Sequence, residues 1–230
     1  QVHVRLEYRP PSGWDAFVRA HPAGTPFHLT DWARCVESGL GHRARWLSAS
    51  DGAEIVGVLP LHHVRSLLFG KRLSSSPQGA YGGPLAVDDA VASALVARAE
   101  EEAERLAVDY LELRFSKVPA ASAEGPRWHG TDLYVTIGGP IGKDDEAILK
   151  AIPKKTRADC RKADERLTAT ESPEHFDAFY ALFAENQRDL GTPVLPKRFL
   201  RMVAEAPALG ARVLLVNHGC ETVASCLSLS

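Results

Sequence analysis

The sequence predicts an α/β fold (α+β with a mixed sheet) made of two related units in tandem, assigned to residues 1–142 and 143–230. Three observations lead to this prediction. A short motif occurs twice, the same order of strands and helices surrounds each copy, and a glycine turn follows at the same place. The second copy ends earlier than the first, so we expect the second unit to be truncated at its C-terminus.

The repeated motif is Pro-x-x-aromatic-Asp-Ala-Phe, found as PSGWDAF at 11–17 and as PEHFDAF at 173–179. Each copy follows an extended stretch and precedes a second short helix. Ser172 and Pro173 predict a helix start, with the serine as N-cap and the proline in the first turn. Thr30 is the expected N-cap of the second helix in the first unit.

A strand, a tight turn and another strand complete each copy, at residues 43–61 and 211–229. Gly52 and Gly219 lie where the turns need a positive φ. The first unit then continues with an extended segment, a glycine-rich loop and an amphipathic helix with an acidic solvent face at 88–107. Strands at 109–115 and 131–137 follow, and residues 138–153 are interpreted as a linker.

The composition excludes several classes of function. The net charge is −2, which argues against a generally basic surface for DNA. The four cysteines lack the spacing of metal ligands and are expected to be free thiols in a reducing compartment, so we expect a cytoplasmic protein. The sequence contains no apolar run of about 18 residues, so it predicts no transmembrane segment.

Tryptophan and histidine positions predict packing rather than chemistry. Trp14, Trp32 and Trp46 are expected in the core, whereas Trp128 lies on a polar loop. His62 and His63 are adjacent on a predicted strand, so their side chains point to opposite faces and do not form a metal pair. No other spacing predicts a metal site.

A cluster of cations at 154–162 is the most unusual feature of this slightly acidic chain. At 100° per residue, the five cations fall within an arc of about 160° on a helix that begins after Pro153; they are Lys154, Lys155, Arg157, Arg161 and Lys162. Like charges at this spacing repel one another, so an anion is expected to offset them. The alternative is a solvated face neutralised by nearby carboxylates.

The loop SSSPQGAYGGPL, at residues 74–85, is the second candidate site. Its glycines and prolines predict irregular backbone after a strand. Ser76, Gln78 and Tyr81 are the polar side chains that could line a substrate groove there. The alternative is a plain connecting loop whose glycines serve turns.

Three stretches together resemble the FemAB-related family of peptidoglycan-bridge aminoacyltransferases, which are tandem GNAT-fold acyltransferases. They are PFHLTDWARC at 26–35, the segment from EIVGVLPLHH to AYGGPL at 54–85, and IPKKTRADCRKADERL at 152–167. The resemblance implies two GNAT-like units and transfer of an acyl or aminoacyl group to an amine. The acceptor would be a phosphorylated small-molecule or lipid-linked envelope precursor, of peptidoglycan or exopolysaccharide, met in the cytoplasm at the inner face of the membrane.

The resemblance also implies roles for individual residues. Lys154, Lys155, Arg157 and Arg161 would bind the phosphates of the precursor. Ala224 and Ser225 would lie on the strand beside the acyl donor; the alternative is an ordinary strand without a ligand. The donor would be acyl-CoA or aminoacyl-tRNA, and no cofactor would be covalently bound.

Two other functions remain open at this stage. One is acyl-CoA-dependent N-acetylation of an amino sugar, and the other is a non-catalytic, phosphate-binding scaffold with a GNAT-like fold. The sequence identifies no general base and no other catalytic residue. We expect this chain to be inactive on its own if its second unit is truncated.

Overall fold

A computed structural model describes residues 2–66, 68, 70–116, 128–131 and 138–230. The chain divides into two compact units, the first formed by residues 1–128, 194–211 and 228–230 and the second by 129–193 and 212–227. Most of the strand predicted at 131–137 lies outside the described residues.

The elements follow one another along the chain in an order that repeats. The strands are β1 (Val2–Glu7), β2 (Arg43–Asp51), β3 (Glu54–Ser66), β4 (Gly70–Ser74), β5 (Leu85–Ala86), β6 (Tyr110–Glu112), β7 (Thr168–Glu171), β8 (Arg212–His218) and β9 (Glu221–Ser228). The helices are α1 (Trp14–Ala20), α2 (Thr30–Leu40), α3 (Asp89–Arg105), α4 (Asp145–Ala151), α5 (Lys154–Asp164), α6 (Phe176–Asp189) and α7 (Lys197–Glu205).

The first unit contains a mixed sheet with strand order β1-β2-β3-β4-β6, and β5 pairs with β3. All pairs are antiparallel except β4 and β6, which run parallel with Ser74 opposite Glu112. The carboxyl ends of these two strands therefore meet at one place. The glycine-rich loop begins there.

The core of the first unit lies on both faces of this sheet. Helix α3 covers the face that carries Leu47, Leu59, Leu61 and Leu73. Alternation along β2 turns Trp46 to the opposite face, where its ring meets that of Trp14 edge-on at 4.8 Å. Trp14, Trp32 and Trp46 are all buried, which confirms their predicted place in the core.

Helix α7 packs against helix α2 within the first unit. Phe199 is buried there, and its ring centroid lies 5.7 Å from that of Trp32. A Cβ atom at Gly39 would lie only 2.8 Å from the Cα of Phe199. Glycine is therefore required for the two helices to approach this closely.

The second unit contains a three-stranded sheet with order β7-β8-β9, and helix α6 packs on β8 through a face that includes Phe176 and Phe179. Ser172 accepts a hydrogen bond from the backbone N–H of Glu174, as its predicted N-cap role requires. Gly219 has φ 60° and Gly52 has φ 59°, so both predicted turns are confirmed. The recurrence of strand, helices and hairpin supports the tandem arrangement.

Two expectations about local structure were wrong. Residues 138–153, interpreted as a linker, contain α4, whose N-cap Asp144 accepts from the N–H of Ala147. Thr30 is the first residue of α2 rather than its cap, and both its N–H and its hydroxyl donate to the Asp15 carboxylate. The acidic solvent face predicted on α3 is confirmed at Glu101 and Glu104, which are exposed, whereas Glu102 lies on the side of Leu95 and is fully buried.

Candidate functional site

The first candidate region is the loop that follows β4, at residues 75–84. The structure places its three predicted groove residues differently: Gln78 is exposed, Tyr81 is half-buried and Ser76 is fully buried. Tyr81 lines a small cleft together with His28, Gly83 and Phe115. Gln78 and Tyr81 can therefore meet a ligand, whereas Ser76 packs inside the loop.

The backbone of this loop is tightly packed and locally strained. Gln78 has φ 63°, a left-handed conformation that costs a residue other than glycine about 1–2 kcal/mol. A Cβ atom at Gly79 would lie 2.1 Å from the Ser76 hydroxyl and 2.9 Å from the ring of Phe27. Within the described residues, the buried Ser76 hydroxyl has no hydrogen-bond partner. Such a conformation persists only where surrounding contacts enforce it.

Arg114, just after β6, supplies several of those contacts. Its guanidinium donates to the carbonyl oxygen of Gly79, and its backbone oxygen accepts from the N–H groups of Gly82 at 3.0 Å and Gly83 at 2.9 Å. Its backbone N–H donates to the Ser75 hydroxyl at 3.0 Å. One residue thus reaches the loop at its beginning, its middle and its end.

Glu112 orients the Arg114 side chain. One carboxylate oxygen accepts from Nε and Nη2 of Arg114 at 3.0 and 2.9 Å. The other accepts from the Ser74 hydroxyl at 2.9 Å and lies 3.6 Å from Nε of Arg72. A carboxylate held by two guanidinium groups and a hydroxyl is a well-defined anchor.

His28 supports the same loop from the other side of the cleft. Its Nε2 lies 3.0 Å from the carbonyl oxygen of Gly83, and its Nδ1 lies 2.8 Å from the Thr25 hydroxyl. The carbonyl can only accept, so Nε2 carries the proton and Nδ1 accepts from Thr25. Burial lowers the pKa of His28 to about 4, which keeps the ring neutral at pH 7.

Arg114, Glu112 and His28 were missed by the sequence analysis. The only signal available was the alternation in LELRF, which places Glu112 and Arg114 on the same face of an extended chain. Nothing local marks His28, because its partner Gly83 is 55 positions away.

The second candidate region is helix α5, in the second unit. It begins after Pro153, as predicted, and none of its residues is buried. Four of the five predicted cations are exposed, and Arg157 is half-buried. In the part of the chain that the structure describes, none of the five forms an ion pair with a carboxylate.

The macrodipole of α5 favours the two cations in its last turn, Arg161 and Lys162, but not the other three. Lys154, Lys155 and Arg157 lie in the first turn or just after it, where the helix macrodipole disfavours positive charge, and no acidic residue occupies that turn. Each such placement costs about 0.3–1 kcal/mol at the surface. The stability of α5 therefore does not explain the cations at its N-terminal end.

Strand β9 carries the residues predicted to lie beside the acyl donor. Ala224 is exposed and Ser225 is half-buried. Because β9 pairs with β8 at the end of the strand order, its other backbone edge is unpaired within the described sheet. Small side chains on such an edge allow a ligand to approach the backbone.

The described residues offer neither a metal-binding cluster nor a membrane-spanning helix. They contain no group of three or more His, Cys, Asp or Glu side chains placed to hold a metal ion. No helix among them has the length and apolar character needed to span a membrane.

Comparison with known proteins identifies the fold. The family model for the acetyltransferase (GNAT) domain matches residues 154–230. The crystal structure of FemX matches with a TM-score of 0.62 and 21% identity, over 92% of this chain and 57% of the FemX chain. The chain therefore spans somewhat more than half of the length of FemX.

Other matches are weaker. A ribosomal-protein-alanine N-acetyltransferase from Brucella melitensis biovar Abortus 2308 has 16% identity and a TM-score of 0.32, over 60% of this chain and all of that one. A transcriptional regulator from Bacillus halodurans C-125 has 15% identity and a TM-score of 0.35, over 58% of this chain and all of the regulator. Both TM-scores are too low to support a conclusion about the fold or function of this chain. No curated protein sequence matches significantly.

These findings confirm the predicted resemblance and the predicted fold class. The FemX match covers nearly the whole chain, and the GNAT match begins at the first residue of α5. The chain has a FemX-like α/β fold, and its residues 154–230 match the model of the acetyltransferase (GNAT) domain.

Proposed function

We propose that the protein transfers an acyl or aminoacyl group to an amine on a phosphorylated precursor of the cell envelope, with peptidoglycan precursors as the preferred class. The GNAT match and the FemX-like fold support the reaction type. The observation that carries the substrate class is the exposed face of α5, whose cations have no carboxylate partner among the described residues.

The precursor's phosphates would bind to Lys154, Lys155, Arg157 and Arg161. Arginine guanidinium groups make bidentate contacts with phosphate oxygens, and lysines add point charge. Binding a dianion there would remove the repulsion among neighbouring cations and the unfavourable interaction with the helix dipole. Both effects favour the liganded state over the free one.

The reaction requires orientation of a neutral amine against an activated carbonyl and stabilisation of the oxyanion that develops. Ser76, Gln78 and Tyr81 belong to the loop proposed to contact the acceptor, Gln78 and Tyr81 through their side chains and Ser76 by shaping the loop. The donor would lie along β9, where Ala224 and Ser225 leave room beside the backbone. Free N–H groups on that edge are the proposed hydrogen-bond donors to the acyl oxygen.

The test compares two acceptors that differ only in phosphate. Lys154→Ala, Arg157→Ala and Arg161→Ala, made in the full-length protein, should each raise KM about tenfold for a diphosphate-linked sugar peptide, because each removes a charge-assisted contact. KM for the same sugar peptide without phosphate should stay unchanged. Arg188→Ala is the control, since that exposed arginine already pairs with Glu185 and Asp189. Equal increases for both acceptors would refute the phosphate role.

The identity of the acyl donor distinguishes this proposal from acyl-CoA-dependent acetylation of an amino sugar. The acetyltransferase description of the GNAT match favours that second function. Acetyl-CoA, aminoacyl-tRNA and nucleotide sugars are added separately to full-length protein, and the shift in Tm identifies the ligand that binds the native state. Stabilisation by acetyl-CoA and not by aminoacyl-tRNA would favour acetylation. Stabilisation by phosphorylated sugars alone, with no donor bound, would indicate a scaffold.

A further inference from the structure

Gln78 is the third residue of a turn closed by a hydrogen bond from the Gly79 N–H to the Ser76 carbonyl oxygen at 3.1 Å, and it holds φ 63° there at a conformational cost. A left-handed glutamine directly before a closely packed glycine is an unfavourable arrangement, yet the Gln78 side chain projects into solvent. Gly79 directly follows Gln78, and its carbonyl oxygen accepts a hydrogen bond from the Arg114 guanidinium. Besides this local turn, the loop is contacted next to Gln78 by Arg114, which follows β6 and lies 35 positions from Gly79 in the sequence.

We propose that Arg114 is a positioning residue, which holds Gln78 in its left-handed conformation through the Gly79 carbonyl and so presents Gln78 and Tyr81 to the acceptor. Glu112 completes this arrangement by fixing the guanidinium plane through two N–H groups. The acceptor-binding part of this proposal rests on the function proposed above. The control of loop conformation does not.

The geometry explains why arginine is needed at this position. The guanidinium uses one nitrogen for the Gly79 carbonyl and two others for Glu112, a division that a planar fork with fixed donor directions allows. A lysine has one ammonium group on a flexible stem and cannot hold both partners in this geometry. The backbone contacts of residue 114 with Ser75, Gly82 and Gly83 do not depend on its side chain.

The first measurement follows loop conformation without any substrate. Hydrogen exchange at the Gly79 and Gly82 amides is compared between wild type and Arg114→Lys, and we expect about tenfold faster exchange in the variant, because at least one charge-assisted bond is lost. Arg98→Lys is the matched control, since Arg98 is a similarly exposed arginine paired with Glu101 on α3. Unchanged exchange in Arg114→Lys would overturn the proposal.

A double variant tests whether Gln78 is the residue held. Glycine adopts positive φ without strain, so Arg114→Lys should accelerate exchange less in the Gln78→Gly background than in wild type. Equal acceleration in the two backgrounds would show that Arg114 acts elsewhere in the loop and would overturn the assignment to Gln78.

Kinetics then separate positioning from general destabilisation. Arg114→Lys should raise KM for the diphosphate-linked sugar peptide several-fold with kcat unchanged, matching Gln78→Ala in direction, while Tm stays close to that of Arg98→Lys. A wild-type KM in Arg114→Lys would show that only the positive charge at this position matters, and it would overturn the proposal. If exchange changes as expected but neither Gln78→Ala nor Tyr81→Ala alters KM, the positioning role is supported and the acceptor site of the proposed function fails.

Discussion

The arginines of the first unit and the cations of helix α5 are used in opposite ways. Arg45 and Arg105 meet the buried carboxylate of Glu102, and Arg114 meets Glu112, so that each charge holds part of the fold. On α5, in the part of the chain that is described, no carboxylate pairs with the cations, and the helix dipole opposes several of them. The paired charges stabilise the fold of the first unit, whereas we propose that the α5 cations bind an anionic ligand.

The largest expected effect comes from breaking a buried pair. Glu102→Ala should lower the free energy of unfolding by about 3–5 kcal/mol, because it leaves the nearly buried guanidinium of Arg45 without a counter-charge. Burial acts to raise the pKa of the Glu102 carboxyl, but hydrogen bonds and charge from Arg105, with Arg45, lower it overall. Urea unfolding measures the loss, and a change below about 1 kcal/mol would contradict a structural role for this pair.

The next effect concerns the neutral histidine beside the loop. The pKa of His28 is about 4 in the fold and 6.5 when exposed, so the unfolded chain binds the extra proton between these values. Its contribution to stability is therefore complete above pH 6.5, falls as pH drops towards 4, and amounts to up to about 3 kcal/mol. His62, whose pKa burial lowers to about 3, contributes in the same direction.

The His28 contribution is measured by urea unfolding at several pH values between 4 and 8. In His28→Gln, the slope of unfolding free energy against pH should decrease by up to about 1.4 kcal/mol per pH unit between pH 4 and 6.5, and should not change above pH 6.5. An unchanged slope would mean that His28 is protonated in the fold, contrary to its hydrogen bond with the Gly83 carbonyl.

The smallest effect tests the other side of the comparison. Lys155→Glu places a negative charge in the first turn of α5 and should favour the helix by about 0.3–1 kcal/mol through the macrodipole. Slower amide exchange along α5 would report this gain, with Lys155→Gln as the neutral control. Faster exchange in Lys155→Glu would show that Lys155 stabilises the helix, and the argument for a ligand would weaken.

Sequence reasoning succeeded where the signal is local. The turn glycines, the Ser172 cap, the helix start after Pro153 and the buried tryptophans each depend on a residue and its near neighbours. The order of the elements followed from them. The FemX-like fold could therefore be anticipated from residues and motifs.

It failed where a distant partner decides the outcome. Nothing near Glu102 in the sequence predicts that it is buried, because its partner Arg45 lies on β2. Likewise, the N–H of Thr30 donates to the carboxylate of Asp15, which lies on another helix. Arg114 acquires its role only because parallel pairing brings β6 beside the end of β4. Side-chain chemistry of this kind requires tertiary structure, which periodicity does not supply.

The central claim is that the α5 cations bind the phosphates of the acceptor. Isothermal titration of the diphosphate-linked sugar peptide into full-length protein measures this directly, with the triple variant Lys154→Ala, Arg157→Ala and Arg161→Ala compared with Arg188→Ala. We predict at least a hundredfold increase in Kd for the triple variant, about 3 kcal/mol or more, and wild-type affinity for the control. Wild-type affinity in the triple variant would contradict the account.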